Sequence, residues 1–349
     1  MSRLDRADQA LLNILQEDFP VLHAPFADVA ARIGTDERDV IDRTKRLREA
    51  RVVRQISAIF DTRSLGYQST LVAMRFAPDQ LENGAAIINE HPGVSHNYRR
   101  NHEFNLWFTL ATPPDGDIDL TLARLHEMSG ALVTRKLQTL KLFKIGVKLD
   151  MTGEKDVTRQ EDPDYTGIQR DFALCSPISD FDIRVIRAVQ DDLQLVSHPF
   201  EECARSQGLT ERELFEGMAD LKRRGHLRRV AAILHHRRAG YAANAMAVWS
   251  VPEEDAENLG RRMAEFAAVS HCYQRPIYED WRFNLFSMIH GRKVTDCERV
   301  VEAIRDATGI EDYAVLYSTK EYKKTRVRYF TPELEEWERE HLRPAAATA

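Results

Sequence analysis

The chain contains the same pattern twice, and this duplication constrains its fold more than any other feature. The motif HAPF at 23–26 matches SHPF at 197–200, and Gly66 matches Gly240, both at a spacing of 174 residues (199 − 25 and 240 − 66). Further on, VSHNYRR at 94–100 matches VSHCYQR at 269–275. The motif FNL then recurs at a spacing of 179 (283 − 104), because the second copy carries an insertion around 276–280. A spacing kept over this distance indicates two related halves fused in one chain.

Length and charge limit the classes of protein that these halves can form. The chain has 349 residues, enough for about two to four domains at ~100–200 residues each. Hydrophobic residues make up 43% and charged residues 30%, which is typical of a globular protein. The formal net charge is −6, so no overall positive field draws the chain to nucleic acid or to an anionic membrane. Any site for an anion must therefore be local.

The lack of long apolar runs and the spacing of the cysteines point to the cytoplasm. No apolar run approaches the ~20 residues that span a bilayer, and the first residues lack the apolar stretch of a signal peptide. We therefore expect a cytoplasmic protein that does not enter membranes. The four cysteines have no C-x-x-C spacing, which predicts buried thiols rather than a disulfide framework or a zinc ribbon.

Each half shows the same order of predicted elements. Three helical patterns come first, with Gly34 and Gly208 at the turns before the third helices, and Thr210 with Glu213 has the form of a capping box. An extended stretch follows, like the wing of a winged helix. Strand, helix, strand, strand, helix, strand then predict an antiparallel four-stranded sheet with helices on one face. The predicted ranges after the wings are 70–76, 80–90, 94–100, 103–110, 119–128 and 140–147 in the first half, and 243–251, 255–266, 269–274, 282–290, 294–307 and 310–317 in the second.

The predicted fold class is α+β, with two tandem halves that each join a winged helix-turn-helix to a ferredoxin-like βαββαβ domain. The predicted segments are the first winged helix-turn-helix at 1–60, its βαββαβ domain at 61–150, a linker at 151–178, the second winged helix-turn-helix at 179–234, its βαββαβ domain at 235–330 and a charged tail at 331–349, with a short helix over 333–341.

This plan resembles the Lrp/AsnC regulators, in which the first unit binds DNA and the second binds an effector. The charges of the third helices argue against that function. Residues 36–50 carry five acidic and five basic side chains, and residues 210–224 carry four of each. DNA-binding helices draw most of their affinity from Lys and Arg against phosphates. We therefore do not expect DNA binding, although neutral recognition helices exist and a regulator stays an alternative.

The repeated strand motif carries the informative chemistry. Residues two apart on a strand share a face, so the motif H-x-Y-x-R aligns an imidazole, a phenol and a guanidinium in both copies. The candidate catalytic residues are His96, Tyr98 and Arg100 in the first half and His271, Tyr273 and Arg275 in the second. Such a ladder offers a proton donor beside an anion clamp. The alternative is a set of satisfied structural polar groups.

Further polar and aromatic residues surround these ladders and are the candidates for substrate binding. Five cations lie within 320–328, where a solvated strand is the alternative interpretation. Arginine and lysine at such positions suit a substrate with several carboxylates. The candidate set is Arg54, Arg99, His102, Trp107, Arg228, His236, Trp281, His290, Lys320, Lys323 and Arg326.

Long motifs of this chain resemble those of the siroheme decarboxylases, which are Lrp-like proteins of heme d1 and alternative heme synthesis. The similar stretches are HNYRRNHEFNLWF at 96–108, LKLFKIGVK at 140–148, AGYAANAM at 239–246, NLFSMIHG at 284–291 and LYSTKEYKKTRVRYF at 316–330. The chain looks like the fused form, a D-type half followed by an L-type half, and the resemblance extends from about residue 4 to residue 330.

The resemblance implies that siroheme loses CO2 from its C12 and C18 acetates and leaves as 12,18-didecarboxysiroheme. General acids and carboxylate anchors suffice for this reaction, so we expect no cofactor and no metal of the protein's own. The iron belongs to the substrate, with His236 or His290 as its candidate axial ligand. The sequence favours self-association as a homodimer or as a pseudo-dimer of fused halves. A tetrapyrrole carrier without turnover is a further alternative.

The two candidate sites differ. Arg99 is replaced by Gln274, and the pair at 235–236 has no histidine counterpart in the first half. The sites are therefore not equivalent, and we favour the His271 side as the catalytic one.

Overall fold

A computed structural model describes residues 4–145, 156, 158–161, 177–234 and 243–342. The chain folds into two compact units. Unit 1 comprises Met1–Tyr67, Asp171–Ala239 and Arg328–Pro332, and unit 2 comprises Gln68–Arg170, Gly240–Val327 and Glu333–Ala349. The helix-turn-helix segments of both halves thus share unit 1, and the sheet segments of both halves share unit 2.

The elements follow the predicted order except for Val133–Leu137, a strand that the sequence analysis does not predict. The helices are α1 (Arg6–Glu17), α2 (Pro25–Ile33), α3 (Glu37–Glu49), α4 (Leu81–Glu90), α5 (Ile118–Ser129), α6 (Asp180–Val189), α7 (Pro199–Ser206), α8 (Glu211–Arg223), α9 (Ala256–Glu265), α10 (Val294–Thr308) and α11 (Pro332–His341). The strands are β1 (Val53–Phe60), β2 (Gln68–Arg75), β3 (Val94–Arg100), β4 (Leu106–Thr112), β5 (Val133–Leu137), β6 (Lys141–Ile145), β7 (Leu227–Leu234), β8 (Ala243–Trp249), β9 (Val269–Gln274), β10 (Leu285–Gly291) and β11 (Tyr313–Lys324).

In unit 1, the two three-helix groups begin and end where local chemistry dictates. Thr210 forms the predicted capping box with Glu213 at the start of α8. Gly34 and Gly208 adopt φ of +78° and +64° in the turns before α3 and α8, a region that favours glycine. The two extended stretches form β1 and β7, as predicted, and they pair with each other in one antiparallel ladder, with Ser57 opposite Ala231.

In unit 2, one nine-stranded sheet has the order β5-β2-β4-β3-β11-β8-β10-β9-β6. Each half therefore contributes a block of four antiparallel strands, as predicted. The prediction for 140–147 is wrong in its pairing. That segment, as β6, pairs with β9 of the second half, and β5 is the strand that completes the first block beside β2.

The final strand of the second half, β11, extends reciprocally into the block of the first half. Tyr313–Tyr317 of β11 pairs with β8, and its continuation to Lys324 pairs with β3 of the first half. The predicted end at 317 is therefore too early. The two blocks exchange the ends of their last strands, and β3 and β9, one edge strand of each block, thereby gain a partner.

Apolar side chains cover both faces of this sheet. One face of each block packs under its own helices, around Val72 and Leu110 in the first half and around Trp249 and Val300 in the second. The opposite faces share a third core, which contains Trp107, Trp281 and residues of both blocks. We call the faces around this third core the inner faces.

Several smaller predictions can be checked against these elements. The tail helix predicted over 333–341 forms as α11, in which Leu334 and Trp337 are buried. Cys272 and Cys297 are buried thiols, as predicted, and Cys203 is partly exposed. Cys175 and most of the predicted linker lie outside the described residues. No helix in the described ranges combines the length and apolar character that a membrane span requires.

Candidate active site

The second-half ladder lies on the inner face of β9. The His271 and Tyr273 ring centroids are 6.1 Å apart with nearly parallel planes, and the Arg275 guanidinium carbon lies 4.6 Å from the centroid of Tyr273. Tyr273 packs against the shared inner core, whereas the intervening Cys272 belongs to the helix-side core. The prediction that the three ladder residues share a face is confirmed here.

The first-half ladder has the same arrangement on β3. His96 and Tyr98 have ring centroids 6.3 Å apart, and the Arg100 guanidinium carbon lies 5.9 Å from the Tyr98 ring and 6.0 Å from Trp107. Asn97 points to the other face, where its amide donates to Asn89 at the end of α4. Unit 2 therefore presents two ladders of like composition on its inner faces.

The ladder arginines are buried, and each makes a hydrogen bond to the opposite half. Arg100 donates from Nη1 to the carbonyl oxygen of Leu316 at 3.1 Å, and Arg275 donates from Nη1 to the carbonyl oxygen of Leu137. Burial lowers the pKa of Arg100 to about 10, so the guanidinium stays charged at neutral pH. A buried positive charge of this kind favours an anion at the inner face.

His271 differs from the expected proton donor. Burial, with a smaller effect from the positive charge of Arg275, lowers the pKa of His271 to about 4. The ladder imidazole is therefore neutral at pH 7 in this structure, and its pKa lies well below the ~6.5 of an unperturbed histidine.

A serine before each ladder histidine is a functional candidate that the sequence argument missed. Ser95 Oγ lies 3.0 Å from Nδ1 of His96, and Ser270 Oγ lies 2.8 Å from Nδ1 of His271. Its sequence signal was present, because the dipeptide Ser-His recurs at the same place in both repeats. Both ladder histidines are therefore held through Nδ1.

His290 on β10 has both ring nitrogens within hydrogen-bonding distance of side chains. Its Nε2 lies 2.7 Å from Ser270 Oγ and its Nδ1 lies 2.6 Å from Asn244 Oδ1. An axial ligand to iron needs an accessible nitrogen lone pair. These contacts argue against His290 as that ligand, and the other candidate, His236, lies outside the described residues.

Lys320 and Lys323 lie on the helix side of β11 and hold α4. Lys320 Nζ is 2.6 Å from Glu82, and Lys323 Nζ donates to the carbonyl oxygens of Asn89 and His91 at 2.7 and 3.2 Å. Lys141 and Lys144 of β6 do the same for α9 in the second half, through Glu257 and the carbonyl oxygen of Phe266. The spacing K-x-x-K is therefore a structural clamp in both halves. The role of Lys320 and Lys323 as substrate anchors stays a prediction that this placement does not favour.

The two tryptophans among the substrate candidates are core residues in this structure. Trp107 and Trp281 are 1% and 2% exposed, with ring centroids 5.2 Å apart. Trp107 donates from Nε1 to the carbonyl oxygen of Phe104 at 2.6 Å. His102 packs edge-on against Trp281 at 5.4 Å. Both tryptophans therefore belong to the core between the inner faces.

The remaining substrate candidates do not lie on the ladders. Arg99 is exposed on the helix side, with Nη1 3.9 Å from Glu82. Arg326 follows the end of β11 and is partly buried. Arg54 and Arg228 belong to unit 1, where Arg228 donates to the carboxylate of Asp61 at 2.5 Å. Substrate binding by these four residues stays a prediction.

The third helices of unit 1 have their cations paired within the protein. Arg43 bonds to Asp5, Asp8 and Asp39, and Arg224 bonds to Asp182 and Asp220. These pairs reduce the positive charge that α3 and α8 can present to phosphates, which strengthens the argument against DNA binding.

The first turns of α3 and α8 also contact the opposite half. Glu211 accepts from His23 at 2.7 Å, and Glu37 accepts from Ser197 at 3.3 Å. In helix-turn-helix proteins the start of the recognition helix contacts base edges. Here side chains of the opposite half contact the start of each helix. His23, Glu201 and Glu211 also offer ligand atoms within 4.8 Å of one another, but His23 and Glu201 are exposed, and such clusters are common without a metal.

Comparisons with known proteins agree with this architecture. The AsnC-like ligand binding domain matches residues 64–144 and 238–323, and the siroheme decarboxylase NirDL-like HTH domain matches residues 8–54 and 182–228. A siroheme decarboxylase of Hydrogenobacter thermophilus is 41% identical over 334 residues, which cover 95% of this chain and 97% of that protein. The beta subunit of a siroheme decarboxylase from Methanosarcina barkeri is 45% identical over 147 residues, 42% of this chain and 97% of that subunit.

A solved structure covers nearly the whole chain. The siroheme decarboxylase NirDL in complex with an iron-uroporphyrin III analogue has a TM-score of 0.75 and 34% identity, and the match covers 97% of this chain and 99% of that one.

The fold and its inner faces define a protein of the Lrp/AsnC-like class in which two helix-turn-helix and ligand-binding halves are fused. Within that class, the chain belongs to the siroheme decarboxylase family.

Proposed function

We propose that this chain is a carboxy-lyase that removes CO2 from the C12 and C18 acetates of siroheme and releases 12,18-didecarboxysiroheme. The observation that carries the proposal is the pair of imidazole, phenol and guanidinium ladders on the inner faces of unit 2. The family relationship supports the substrate class, since a related structure holds an iron-uroporphyrin III analogue. The iron enters as part of the substrate.

Each decarboxylation consumes one proton, and the ladder chemistry can supply it. The bond between the acetate methylene and its carboxylate breaks, CO2 leaves, and the electron pair passes into the macrocycle. The methylene carbon then takes a proton from a general acid and becomes a methyl group. We assign this proton to Nε2 of His271. Its Nδ1 is already engaged with Ser270, so Nε2 is the nitrogen that remains to carry the proton.

The low pKa of His271 does not prevent this role. In the protein without substrate the imidazole is neutral, because it is buried and near Arg275. A polycarboxylate placed beside it favours the imidazolium and raises its pKa. Arg100 and Arg275 help to bind the same carboxylates, while an acetate held in a poorly solvated position loses its charge readily as CO2. Binding of the substrate thus favours protonation of His271, the general acid of the reaction.

We also infer that the fused halves act together as a pseudo-dimer. Each block of strands is completed by the end of a strand from the other half. A separate beta subunit of a relative matches less than half of this chain, so other family members use separate chains. Light scattering under assay conditions tests this inference. An active species of one chain supports it, and activity confined to an assembly of two chains contradicts it.

Mass spectrometry of an anaerobic incubation with siroheme tests the activity. We expect a product lighter by two molecules of CO2. His271→Gln is expected to abolish turnover. The matched control is His126→Gln, which changes a half-buried histidine of α5 whose Nδ1 lies 2.9 Å from Thr134 Oγ1 of β5. An unchanged mass with folded wild-type protein rejects the activity, and a Soret shift in that case supports a carrier instead. Full turnover by His271→Gln rejects the residue assignment.

A further inference from the structure

A chain of hydrogen bonds lies behind His271 on the second block of strands. Nδ1 of His271 lies 2.8 Å from Ser270 Oγ, and that oxygen lies 2.7 Å from Nε2 of His290. Nδ1 of His290 lies 2.6 Å from Asn244 Oδ1. Asn244 and His290 are directly opposite each other on β8 and β10.

When His290 is neutral, the types of atom in this chain fix the direction of each hydrogen bond. Asn244 Oδ1 can only accept, so Nδ1 of His290 donates to it. Nε2 of a neutral His290 then carries a lone pair and accepts from the Ser270 hydroxyl. Because Ser270 has a single proton, its oxygen must accept from Nδ1 of His271. In a charged His290, Nε2 would donate to Ser270 Oγ, and the Ser270 proton could go to Nδ1 of His271 at 2.8 Å or to the carbonyl oxygen of Met288 at 3.3 Å. The single direction therefore belongs to the neutral form of His290.

The consequence for His271 is one defined tautomer. Its hydrogen sits on Nδ1, and the lone pair sits on Nε2. Among the described residues, none forms a hydrogen bond with Nε2 of His271. The nitrogen that we assign to proton transfer is therefore the one that the chain leaves as an acceptor, ready to be charged when substrate arrives.

The first half lacks most of this chain. Ser95 contacts His96, as Ser270 contacts His271. The positions that correspond to Asn244 and His290 are Ser69 and Ala111, which are also opposite each other, on β2 and β4. Alanine offers no ring nitrogen, so the hydrogen bonds cannot extend beyond Ser95 in the same way. The two ladders are alike in composition and differ in the groups behind them.

We propose that Ser270, His290 and Asn244 are positioning residues that hold His271 in its Nδ1–H tautomer, and that they prepare this second-half histidine as a proton carrier. The inference rests on the proposed function for its catalytic part. Its structural part concerns the protein without substrate and can be tested separately.

The tautomer is measured by NMR on ligand-free protein labelled with ¹⁵N in histidine. The His271 signals are assigned by their loss in His271→Gln. We expect the Nδ1–H form in wild-type protein and in Ser95→Ala, the matched change in the first half. His290→Phe and Ser270→Ala are expected to release His271 to a mixture of tautomers. A wild-type Nε2–H form, or an unchanged tautomer in both variants, overturns the structural part.

Turnover of siroheme tests the catalytic part. His290→Phe is expected to lower kcat by about 10- to 100-fold with little change in KM, by analogy with the groups that orient metal-binding histidines. His290→Gln is expected to restore much of the rate, because its amide can donate to Asn244 and accept from Ser270. Circular dichroism checks that each variant is folded.

The failures of the two proposals can be distinguished. No turnover by the wild-type protein rejects the proposed function, whereas the tautomer measurement still decides the structural part. Wild-type turnover with an unimpaired His290→Phe rejects the positioning role alone, as does a His290→Gln variant as slow as His290→Phe.

Discussion

Arg100 Nη1 donates to the carbonyl oxygen of Leu316 at 3.1 Å, and this bond joins the two halves of unit 2 where β11 leaves one block for the other. Arg275 makes the equivalent bond to Leu137, where the chain leaves β5 for β6. The arginines that end both ladders therefore also hold the two strand exchanges in place. The guanidinium groups that the sequence predicts as catalytic anion clamps therefore have structural partners as well.

Replacing Arg100 should consequently destabilise unit 2. Arg100→Leu removes a buried hydrogen bond from a charged donor, and we expect a loss of about 1.5–3 kcal/mol in the free energy of unfolding. Arg99→Leu, which changes the exposed neighbour, is the control and should cost less than about 1 kcal/mol. Urea denaturation measures both. Equal midpoints for the two variants would show that the bond to Leu316 contributes no stability.

The lysines of β11 provide a second, graded comparison. Lys323 is partly buried and donates to two carbonyl oxygens at the end of α4, whereas Lys320 forms an exposed ion pair with Glu82. We expect Lys323→Met to lower the free energy of unfolding by about 1–2 kcal/mol, through lost hydrogen bonds and lost interaction with the helix terminus. Lys320→Met should cost about 0–1 kcal/mol.

The same two variants separate structural lysines from substrate anchors. If Lys323 is a clamp for α4, KM for siroheme stays close to the wild-type value once the variant is folded. A large rise in KM with unchanged stability would support the original prediction that Lys323 binds a carboxylate.

The sequence predicted the local elements and missed the exchange between the blocks. The capping box at Thr210 and the turn at Gly34 depend on neighbouring residues, so local chemistry predicts them. The alternating pattern of β6 is satisfied beside β2 or beside β9, and period alone does not decide between them. The partners of Lys320 and Lys323 were missed for the same reason, since α4 belongs to the opposite half.

Acid should weaken unit 2 through His91. This residue is fully buried, its Nδ1 accepts from the Gly93 amide at 2.9 Å, and its ring lies 4.1 Å from Trp337 of α11. Burial, with the nearby charges of Lys323 and His341, lowers its pKa to about 3, against ~6.5 in an unfolded chain. The unfolded state therefore binds more protons between these values. The stabilisation is complete above pH 6.5 and is lost as the pH falls toward 3.

Urea unfolding between pH 7 and pH 4.5 measures this dependence. Each buried histidine of this kind adds up to about 1.4 kcal/mol per pH unit to the slope, and His271 contributes in the same direction. His91→Gln keeps an acceptor for Gly93 and removes the titrating group, so its slope should be shallower. A variant with the wild-type slope would show that His91 is not the cause.

Binding of a tetrapyrrole with several carboxylates should take up a proton. At pH 6.5 the imidazole of His271 is neutral in the empty protein, since its pKa is about 4. Carboxylates close to the ring raise that pKa, so the bound form holds a proton that the free form lacks.

Iron-uroporphyrin III is a suitable probe, because a related structure was solved with an analogue of that compound. Calorimetry in two buffers with different enthalpies of ionisation gives the number of protons exchanged. We expect uptake of up to one proton in wild-type protein and in His126→Gln, and a clearly smaller uptake in His271→Gln. Release of protons, or the same uptake in all three proteins, would mean that the substrate does not charge His271, and the proton for decarboxylation would then have to come from another group.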